Sequence, residues 1–350
     1  MTLRKGAKNS QKLFSTLQAE INAVQALLLI WPLNRTTPVQ NQNGILMRHF
    51  LVVEDLTPQE IECVFAISQD LETKYEAGIR DALFPGRVLA LVFEKQSLRT
   101  RVSFQTAMAH LGGSGFFLGD DTGFASSRES IDDFSRVLSE YVDCIACRAK
   151  AHKTIEQLAA SSSVPVINAL SDFSHPCQAL ADLYTLRRYI GRLEELTFTF
   201  VGDGNNVARS LAIACALLGM RFILAAPKQY QFDESFKNRV ASLAPSARVE
   251  QTEDPTAAVQ DAVAVYTDVW ASMGQEKERE ARQTAFQPYQ INSQLMAHCP
   301  NAIFMHCLPA RRGEEVTDEV IDGKQSVVVT QAANRMHVQK GLLAWLLGHR

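Results

Sequence analysis

The sequence has no uninterrupted apolar run of the roughly 18 residues that a membrane-spanning helix needs, which excludes such a helix. It also lacks an excess of either charge. Lysine and arginine number 35 against 38 acidic residues, so the net charge is −3 and the surface as a whole has no nucleic-acid-binding signature. Short-period repeats and low-complexity segments are absent too. What remains is a chain of 350 residues, 46% hydrophobic, whose length fits two globular domains rather than one.

The cysteines do not form a disulfide pattern. There are seven, scattered along the chain, which indicates free thiols in a reducing compartment and hence a cytoplasmic protein. Cys144 and Cys147 form one C-x-x-C, but they lie in the apolar run VDCIACRAK, with no second pair nearby. We therefore interpret them as core thiols rather than as metal or redox groups.

The first 46 residues differ in composition from the rest. Five lysines and arginines stand there against a single acid, Glu20, and a helix-like stretch follows the basic start. This arrangement is compatible with a targeting segment. We favour a disordered or loosely docked arm, or an upstream start codon, because Met47 begins MRHFLVVEDLTPQE, which resembles a fresh N-terminus.

From about residue 48, patterns typical of strands and helices alternate. Continuous apolar runs predict buried strands at 88–94, 143–148, 164–169, 196–202, 221–227, 262–268 and 302–308. Helical spacing predicts helices at 103–112, 130–142, 178–190 and 332–348. Thr57, followed by Pro58 and then Glu60, is typical of a helix start. This succession predicts an α/β fold of two domains, each a parallel sheet with helices on both faces.

Cationic and hydroxyl groups follow the first predicted strand, at the sheet edge where parallel sheets bind ligands. The stretch FEKQSLRTRVSF places Lys95, Arg99 and Arg101 within seven residues, with the hydroxyls of Ser97 and Thr100 between them. Three cations so close together repel one another unless an anion lies among them. Because a helix follows, its N–H groups and dipole add to the arginines. The segment therefore predicts a phosphate-type anion site, with Arg99 as its most direct ligand.

Two further strand ends carry groups that suit the same anion. Arg148 ends the second strand, and the third leads into SDFSHPCQALADL, where His175 and Gln178 stand at the start of a long helix. Beside a second anion-binding segment, His175 is predicted to donate to a carbonyl or phosphate oxygen, and Gln178 offers both a donor and an acceptor.

The stretch LTFTFVGDGNN has the strand, turn and helix of a dinucleotide site but not its fingerprint. Gly202 and Gly204 are present, yet Val207 occupies the position of the third glycine, and Lys228 follows the next strand where an acid is expected. A nicotinamide cofactor is therefore disfavoured. The adjacent pair of asparagines suits a small polar ligand instead.

The last two strand ends offer an ammonium partner and a sharp turn. Asp268 follows one strand, and its carboxylate can hold an ammonium group. The bond between Leu308 and Pro309 is a candidate cis peptide that would aim the Leu308 carbonyl into the site. Cys307 has no positioned base, so we interpret it as a polar contact rather than a covalent catalyst. Arg335, at the head of the closing helix, is free to reach back.

In combination and in order, five motifs resemble those of ornithine carbamoyltransferases: K-x-S-x-R-T-R, H-P-C-Q, D-G-N-N, D-x-x-x-S-M-G and H-C-L-P. The resemblance runs from about residue 48 to the end of the chain. It implies transfer of the carbamoyl group of carbamoyl phosphate to the δ-amine of L-ornithine, giving L-citrulline and phosphate for arginine biosynthesis. It also implies a homotrimer with active sites between subunits, no metal, no cofactor, and no nucleic-acid or membrane partner.

The resemblance assigns residues to each substrate. The implied carbamoyl phosphate contacts are Ser97, Leu98, Arg99, Thr100, Arg148, His175, Pro176, Cys177, Gln178, Cys307, Leu308 and Arg335. The implied ornithine contacts are Asn206, Asp268, Ser272 and Met273. Arg148, His175 and Cys307 are expected to act in catalysis. The implied division is an N-terminal extension at 1–46, a carbamoyl-phosphate-binding domain at 47–180, an ornithine-binding domain at 181–331 and a C-terminal helix at 332–350 that packs back on the first domain.

Two positions depart from the family's pattern. Leu98 stands where many members have threonine, so one hydroxyl contact to phosphate is absent. Phe124 stands where members often have glutamine or histidine reaching into the neighbouring subunit's site, which puts that contact in doubt but not the trimer.

Other functions remain open at this stage. One is transfer to another amine, such as an N-acylated ornithine, putrescine or aspartate. The S-M-G loop and the carboxylate of Asp268 argue for free ornithine, because an acylated α-amine would not pair with Asp268. A second is a catalytically silent paralogue that binds carbamoyl phosphate. The intact Arg99, Arg148, His175 and Cys307 argue against it. A third is a nicotinamide-dependent enzyme, weakened by the missing third glycine.

Overall fold

The structure, a computed structural model, describes residues 39–40, 46–119, 129–271 and 278–348. Its strands are β1 (Val39–Gln40), β2 (Leu46–Met47), β3 (Val88–Phe93), β4 (Ser114–Leu118), β5 (Cys144–Arg148), β6 (Val166–Leu170), β7 (Thr197–Val201), β8 (Arg221–Ala225), β9 (Arg248–Thr252), β10 (Ala262–Thr267) and β11 (Ile303–His306). Its helices are α1 (Pro58–Glu76), α2 (Leu98–His110), α3 (Ile131–Ser139), α4 (His152–Ser161), α5 (Pro176–Ile190), α6 (Asn206–Leu217), α7 (Glu234–Leu243), α8 (Pro255–Val259), α9 (Arg279–Phe286), α10 (Ser293–Met296), α11 (Asp318–Ile321) and α12 (Val328–Leu347).

Two parallel sheets form the frame. The first has the strand order β4-β3-β5-β6 and the second β11-β10-β7-β8-β9. Alternate residues of β3 belong to different apolar clusters: Leu89 and Leu91 pack with α1, whereas Ala90 and Val92 pack with α3 and α4. Helices therefore cover both faces of this sheet, as expected for an α/β fold with a parallel sheet in each half.

Each sheet has one point where the order of strand addition reverses. In the first sheet, β4 lies on one side of β3 and β5 on the other. In the second, β8 and β9 lie on one side of β7, and β10 and β11 on the other. Ligands of open α/β sheets bind at the carboxyl ends of the strands that flank such a point. Four of the predicted site segments occupy these positions: those after β3, β5, β7 and β10.

Two helices connect the halves. Helix α5 leaves the first sheet after β6 and precedes β7 of the second. The closing helix α12 packs against α1, α2 and α5, and a single apolar cluster joins residues of both sheets through these helices. This packing brings the N-terminal part of α12 close to the carboxyl ends of β3 and β5.

Several element boundaries differ from the prediction. Strands β4 and β9 were not predicted. Helix α2 begins at Leu98 rather than 103, α3 ends at Ser139 rather than 142, and α12 begins at Val328 rather than 332. The helix start at Thr57 is confirmed: its hydroxyl accepts from Glu60 N (3.3 Å), and the Glu60 carboxylate accepts from Thr57 N (2.8 Å).

The cysteines of the C-x-x-C are confirmed as core thiols. Cys144 and Cys147 are both fully buried in β5, and neither forms a disulfide. They belong to apolar clusters on opposite faces of the sheet, because side chains three apart in a strand point in opposite directions. None of the helices described here combines the length and hydropathy that crossing a membrane requires.

Candidate active site

The carboxyl ends of β3 and β5, at the switch point of the first sheet, border what we call the first crevice. It contains the start of helix α2. Ser97 is the N-cap, but its hydroxyl donates to Thr100 Oγ1 (3.0 Å) and accepts from no backbone N–H of the helix. The N–H groups of a first helical turn have no intrahelical acceptor, so those of α2 remain available to an anion. Arg335 of α12 reaches the same place: its Nη2 donates to the buried Thr100 Oγ1 (2.8 Å). This hydrogen bond brings the guanidinium of Arg335 to the start of α2.

Two buried guanidinium groups share this crevice, and neither has a carboxylate partner among the described residues. Arg148 and Arg335 are 7% and 4% exposed, and the Nε of each has no hydrogen-bond partner in the same part of the chain. Burial lowers the pKa of both, and the mutual repulsion of the two cations adds to the shift at Arg148, whose pKa falls to about 10. Both groups are still charged at neutral pH. Buried charges in proteins are normally paired, so this pair calls for an anionic ligand.

His175 lies beside these two cations at the N-terminus of α5. Its backbone N–H donates to Ser210 Oγ (2.9 Å) of α6, which ties the first half to the second. Burial lowers the pKa of its imidazole well below the usual range, and Arg335 and Arg148 lower it further. The ring is therefore neutral, and its buried Nδ1 has no partner among the described residues. A neutral imidazole can donate one hydrogen bond to a ligand oxygen without adding charge.

The three residues after His175 form the first turn of α5. Pro176 is the first helical residue, Cys177 is buried, and Gln178 is 1% exposed. Gln178 Nε2 donates to Asp182 Oδ1 (2.8 Å), while its Oε1 is buried without a partner in the described part of the chain. Asp182 was not predicted as a site residue, although the i, i+4 spacing to Gln178 on a helix could have suggested it.

The carboxyl ends of β7 and β10, at the switch point of the second sheet, border the second crevice. It contains a carboxylate that accepts hydrogen bonds from three donors. Asp268, after β10, accepts from Asn205 Nδ2 (2.9 Å), Val269 N (2.8 Å) and the Cys307 thiol (3.0 Å). Asn205 was not predicted individually; an asparagine at a helix N-cap was the available signal. Its Oδ1 caps α6 by accepting from the N–H groups of Val207 and Ala208 (2.9 and 3.0 Å).

That cap argues against a dinucleotide site. The first-turn donors of α6, which would face a pyrophosphate, are used by Asn205. Gly204 approaches the second half's own backbone, since a Cβ there would lie 2.9 Å from Tyr230 O. Asn206 instead faces the first half, where its Nδ2 donates to Ser171 O (2.6 Å).

The strand β11 leads to Cys307 and Leu308, which join the two crevices. Burial raises the pKa of the Cys307 thiol well above its usual range, and the Asp268 carboxylate raises it further. The thiol is therefore protonated and acts as a hydrogen-bond donor to Asp268. The peptide bond between Leu308 and Pro309 is cis, as predicted.

Asp268, His306 and Cys307 also form a set of groups whose ligand atoms lie within 4.8 Å of one another. Both ring nitrogens of His306 have other partners: Nδ1 accepts from Leu308 N (2.9 Å), and Nε2 donates to the buried Glu315 carboxylate (3.2 Å). A metal ion would have to displace one of these partners and take up a thiol that resists deprotonation.

The remaining predicted residues divide into three groups. Arg99 is half-buried in the first turn of α2, and Leu98 beside it is 77% exposed. The guanidinium of Arg101 instead lies over the Phe117 ring at 4.2 Å. Ser272, Met273 and Phe124 lie outside the described residues.

The two crevices together hold an anion site, a carboxylate and a set of oriented neutral donors and acceptors. Fixed cations and N–H groups can stabilise a dianion and the charge that develops as a phosphate leaves. The carboxylate at the second crevice can hold an ammonium group close by. Such a site suits transfer of an uncharged group from a phosphate to an amine, with both substrates positioned by the protein.

Comparison with known proteins agrees with this chemistry. Residues 48–188 match the family model of the aspartate/ornithine carbamoyltransferase carbamoyl-P binding domain, and residues 194–346 match that of the Asp/Orn binding domain. An ornithine carbamoyltransferase of Pyrococcus abyssi is 49% identical over 304 residues, covering 86% of this chain and 96% of the relative. An anabolic ornithine carbamoyltransferase of Pyrococcus furiosus is 48% identical over 86% of this chain and 96% of its own length.

A solved structure supports the same assignment. The ornithine carbamoyltransferase from Pyrococcus furiosus superposes with a TM-score of 0.83 at 47% identity, covering 86% of this chain and 97% of that one. Matching models cover both halves, and the relatives far exceed the identity at which fold and family are shared. The chain belongs to the aspartate/ornithine carbamoyltransferase family.

Proposed function

We propose that this protein is an ornithine carbamoyltransferase, which transfers the carbamoyl group of carbamoyl phosphate to the δ-amine of L-ornithine and releases L-citrulline and phosphate. The observation that carries the proposal is the pair of buried guanidinium groups, Arg148 and Arg335, beside the open N-terminus of α2, with no carboxylate partner in the described part of the chain. The names of the similar proteins support ornithine as the acceptor and a carbamoyltransferase reaction.

Carbamoyl phosphate is bound in the first crevice. Its phosphate contacts the first turn of α2 and the guanidinium groups, and its carbamoyl oxygen contacts Arg148 and the neutral His175. The residues assigned to this substrate are Ser97, Leu98, Arg99, Thr100, Arg148, His175, Pro176, Cys177, Gln178, Cys307, Leu308 and Arg335. As the amine attacks, negative charge grows on the carbamoyl oxygen and then on the leaving phosphate, and these fixed donors stabilise both.

Ornithine is bound in the second crevice, with Asp268 holding its α-ammonium group and Asn206, Ser272 and Met273 around it. The δ-amine must be uncharged to attack. Its pKa in water is close to that of a lysine amine, so only about one molecule in a thousand is neutral at pH 7. The rate at low ornithine is therefore expected to rise as pH increases from 7 to 9.

The organisation of the protein is proposed on the same basis. Residues 47–180 form the carbamoyl-phosphate-binding domain and 181–331 the ornithine-binding domain, with 332–350 packing back on the first and 1–46 as an extension. A homotrimer is supported by apolar side chains left exposed near the first crevice, such as Val102 (50%) and Phe116 (38%). A cytoplasmic location is supported by the free cysteines, and a role in arginine biosynthesis by the anabolic relative.

The test is citrulline formation by the purified chain with carbamoyl phosphate and four amines offered in parallel: L-ornithine, N-acetylornithine, putrescine and aspartate. Turnover with ornithine alone is expected, and Arg99→Ala should reduce it by at least about 100-fold through loss of a phosphate contact. A matched control is Arg101→Ala, because that guanidinium lies over Phe117. Preference for another amine would overturn the assignment of Asp268, and binding of carbamoyl phosphate without any turnover would indicate a silent paralogue.

A further inference from the structure

Asp182 is a fully buried carboxyl group that the chemistry described above does not use. It lies one turn after Gln178 on α5, so the two side chains share a face of the helix. One of its oxygens, Oδ1, accepts from two amides: Gln178 Nε2 (2.8 Å) and Gln331 Nε2 (2.7 Å). The other, Oδ2, makes no close hydrogen bond among the described residues, and the Tyr266 hydroxyl lies near this carboxyl group, whose pKa burial raises to about 7.

The carboxyl oxygen determines which way each amide faces. An amide has a donor –NH2 and an acceptor oxygen of nearly the same shape. Oδ1 is an acceptor here, because Gln331, whose own oxygen accepts from His306 N, presents its –NH2 to it. The –NH2 of Gln178 must therefore point at Asp182, which turns its Oε1 away. That Oε1 is buried, yet it has no donor in the described part of the chain. A buried acceptor without a donor is costly, so its position predicts a donor on the ligand.

The amide of Gln331 is oriented in the same way, and it connects Asp182 to the end of strand β11. Its Nε2 donates to Asp182, and its Oε1 accepts from His306 N (2.9 Å) at the end of β11. The backbone held in this way leads directly to Cys307 and Leu308. Asp182 thus orients one amide whose buried acceptor is left without a donor among the described residues, and a second amide that anchors the backbone leading to Cys307 and Leu308.

We propose that Asp182 is a positioning residue, which fixes the Gln178 amide so that its Oε1 accepts an N–H from the –NH2 of carbamoyl phosphate. The inference rests on the proposed function and deepens it, because it explains how the site distinguishes a carbamoyl group from another acyl group. An acyl phosphate with a methyl group in place of the amine carries the same phosphate but leaves Oε1 without a donor. Sites built to hydrogen-bond a polar group reject analogues that lack it.

Two stable phosphonates that differ only at this group are suitable probes. Phosphonoacetamide carries –NH2 on its carbonyl, and 2-oxopropylphosphonate carries –CH3. The ratio of their dissociation constants, measured by calorimetry, isolates the amine contact from phosphate binding. The wild-type protein should prefer the amide by at least about tenfold, which is about 1.4 kcal/mol.

In Asp182→Asn, the new side chain can present either an acceptor or an –NH2 to Gln178, so the Gln178 amide is free to turn over. The preference for phosphonoacetamide should fall about tenfold, while the dissociation constant of inorganic phosphate should change little. Adding Gln178→Glu to this variant exchanges the two groups. The amide at position 182 then donates to the carboxylate at position 178, whose other oxygen always offers an acceptor to the ligand. Both phosphonates should bind that double variant more weakly through charge repulsion, but the preference for phosphonoacetamide should return.

Controls separate this role from a structural one. Thr185→Val alters another buried polar group of α5, whose hydroxyl donates to Ala181 O (2.7 Å) and accepts from Asn334 (2.9 Å), and it should leave the ratio unchanged. Gln178→Ala, which keeps Asp182, must lose the preference even if Asp182→Asn does not fold. A wild-type ratio in either Asp182→Asn or Gln178→Ala overturns the inference. Wild-type protein that makes no citrulline would overturn the proposed function instead.

Discussion

At the scale of single residues, the buried cations of the first crevice oppose folding and favour ligand binding. Replacing Arg148 by methionine removes a desolvated charge and its repulsion with Arg335 while filling a similar volume. We expect the free energy of unfolding without ligand to stay level or to rise by about 1–3 kcal/mol. Phosphate and phosphonoacetamide should stabilise the wild type but no longer the variant.

Chemical denaturation with and without saturating ligand is the measurement for Arg148→Met. Arg312→Met serves as the control, because Arg312 forms exposed ion pairs with Asp318 and Asp322 (2.6 Å and 2.5 Å). It should change stability little, because exposed ion pairs are screened by solvent, and it should leave the ligand effect intact. A strong loss of stability in Arg148→Met would mean that this guanidinium has a structural partner after all.

A substitution at Cys307 tests whether its thiol acts as a hydrogen-bond donor or as a nucleophile. Its thiol donates to Asp268, and its pKa is raised, so Cys307→Ser keeps a donor in the same place. We expect the turnover number to fall by less than about tenfold, whereas loss of a covalent nucleophile typically costs about 10³-fold or more. The thiol should also resist iodoacetamide at pH 8 in the folded protein and react readily in urea. Rapid alkylation of the folded chain would contradict the donor role.

The site residues were predictable from the sequence only where they lie at or soon after the end of a predicted strand. The sequence places Arg148, His175 and Asp268 at or soon after the ends of apolar runs, and a parallel sheet then brings such positions to one edge. The partnership of Asp182 with Gln331 spans 149 positions and depends on where α12 crosses α5, which no local pattern records. Whether each predicted residue contacts substrate stays a prediction.

At the scale of elements, the packing of α12 on α1 determines whether Arg335 reaches the site. Gly341 makes this crossing possible: a Cβ there would lie 2.1 Å from Ser68 Oγ and 2.8 Å from Val64 O. Alanine usually stabilises a helix relative to glycine by about 1 kcal/mol. Here the overlap with α1 should outweigh that gain, and Gly341→Ala should destabilise the protein by about 1–3 kcal/mol.

The same displacement should weaken carbamoyl phosphate binding, since it moves Arg335 away from Thr100. Thermal unfolding and the Michaelis constant for carbamoyl phosphate measure the two effects together. Val329→Ala on the same helix is the control, because Val329 is 77% exposed and the change should be nearly neutral. Unaltered stability in Gly341→Ala would mean that the two helices can separate without cost.

The elements missed by the sequence pattern share a physical reason. Strands β4 (SGFFL) and β9 (RVEQT) are the outer strands of their sheets, one glycine-containing and the other polar, so neither shows a continuous apolar run. The start of α2 was placed too late because LRTR carries no apolar periodicity.

At the scale of the whole molecule, the succession of strands and helices was enough to predict two parallel sheets, but not how they face each other. The two switch points face a common site because α5 and α12 cross between the halves, and these contacts lie far apart in sequence. The proposed homotrimer would depend on contacts of the same kind, which no local sequence pattern records. Its strongest indication lies in the surface that the single chain leaves uncovered.

That surface predicts where subunits meet. Leu98 and Val102 lie one turn apart on α2, and Phe116 lies on β4, an outer strand whose far edge is unpaired within the described sheet. We expect light scattering to give a mass of about 116 kDa, three times the 38.8 kDa of the chain. Val102→Asp should reduce that mass toward the monomer by placing a charge in the apolar contact, and it should lower activity if neighbouring subunits complete the site. Val329→Asp changes the same residue type at a more exposed position (77%) on α12, and it should leave the trimer intact. A trimer that persists in Val102→Asp would place the interface on another face of the molecule.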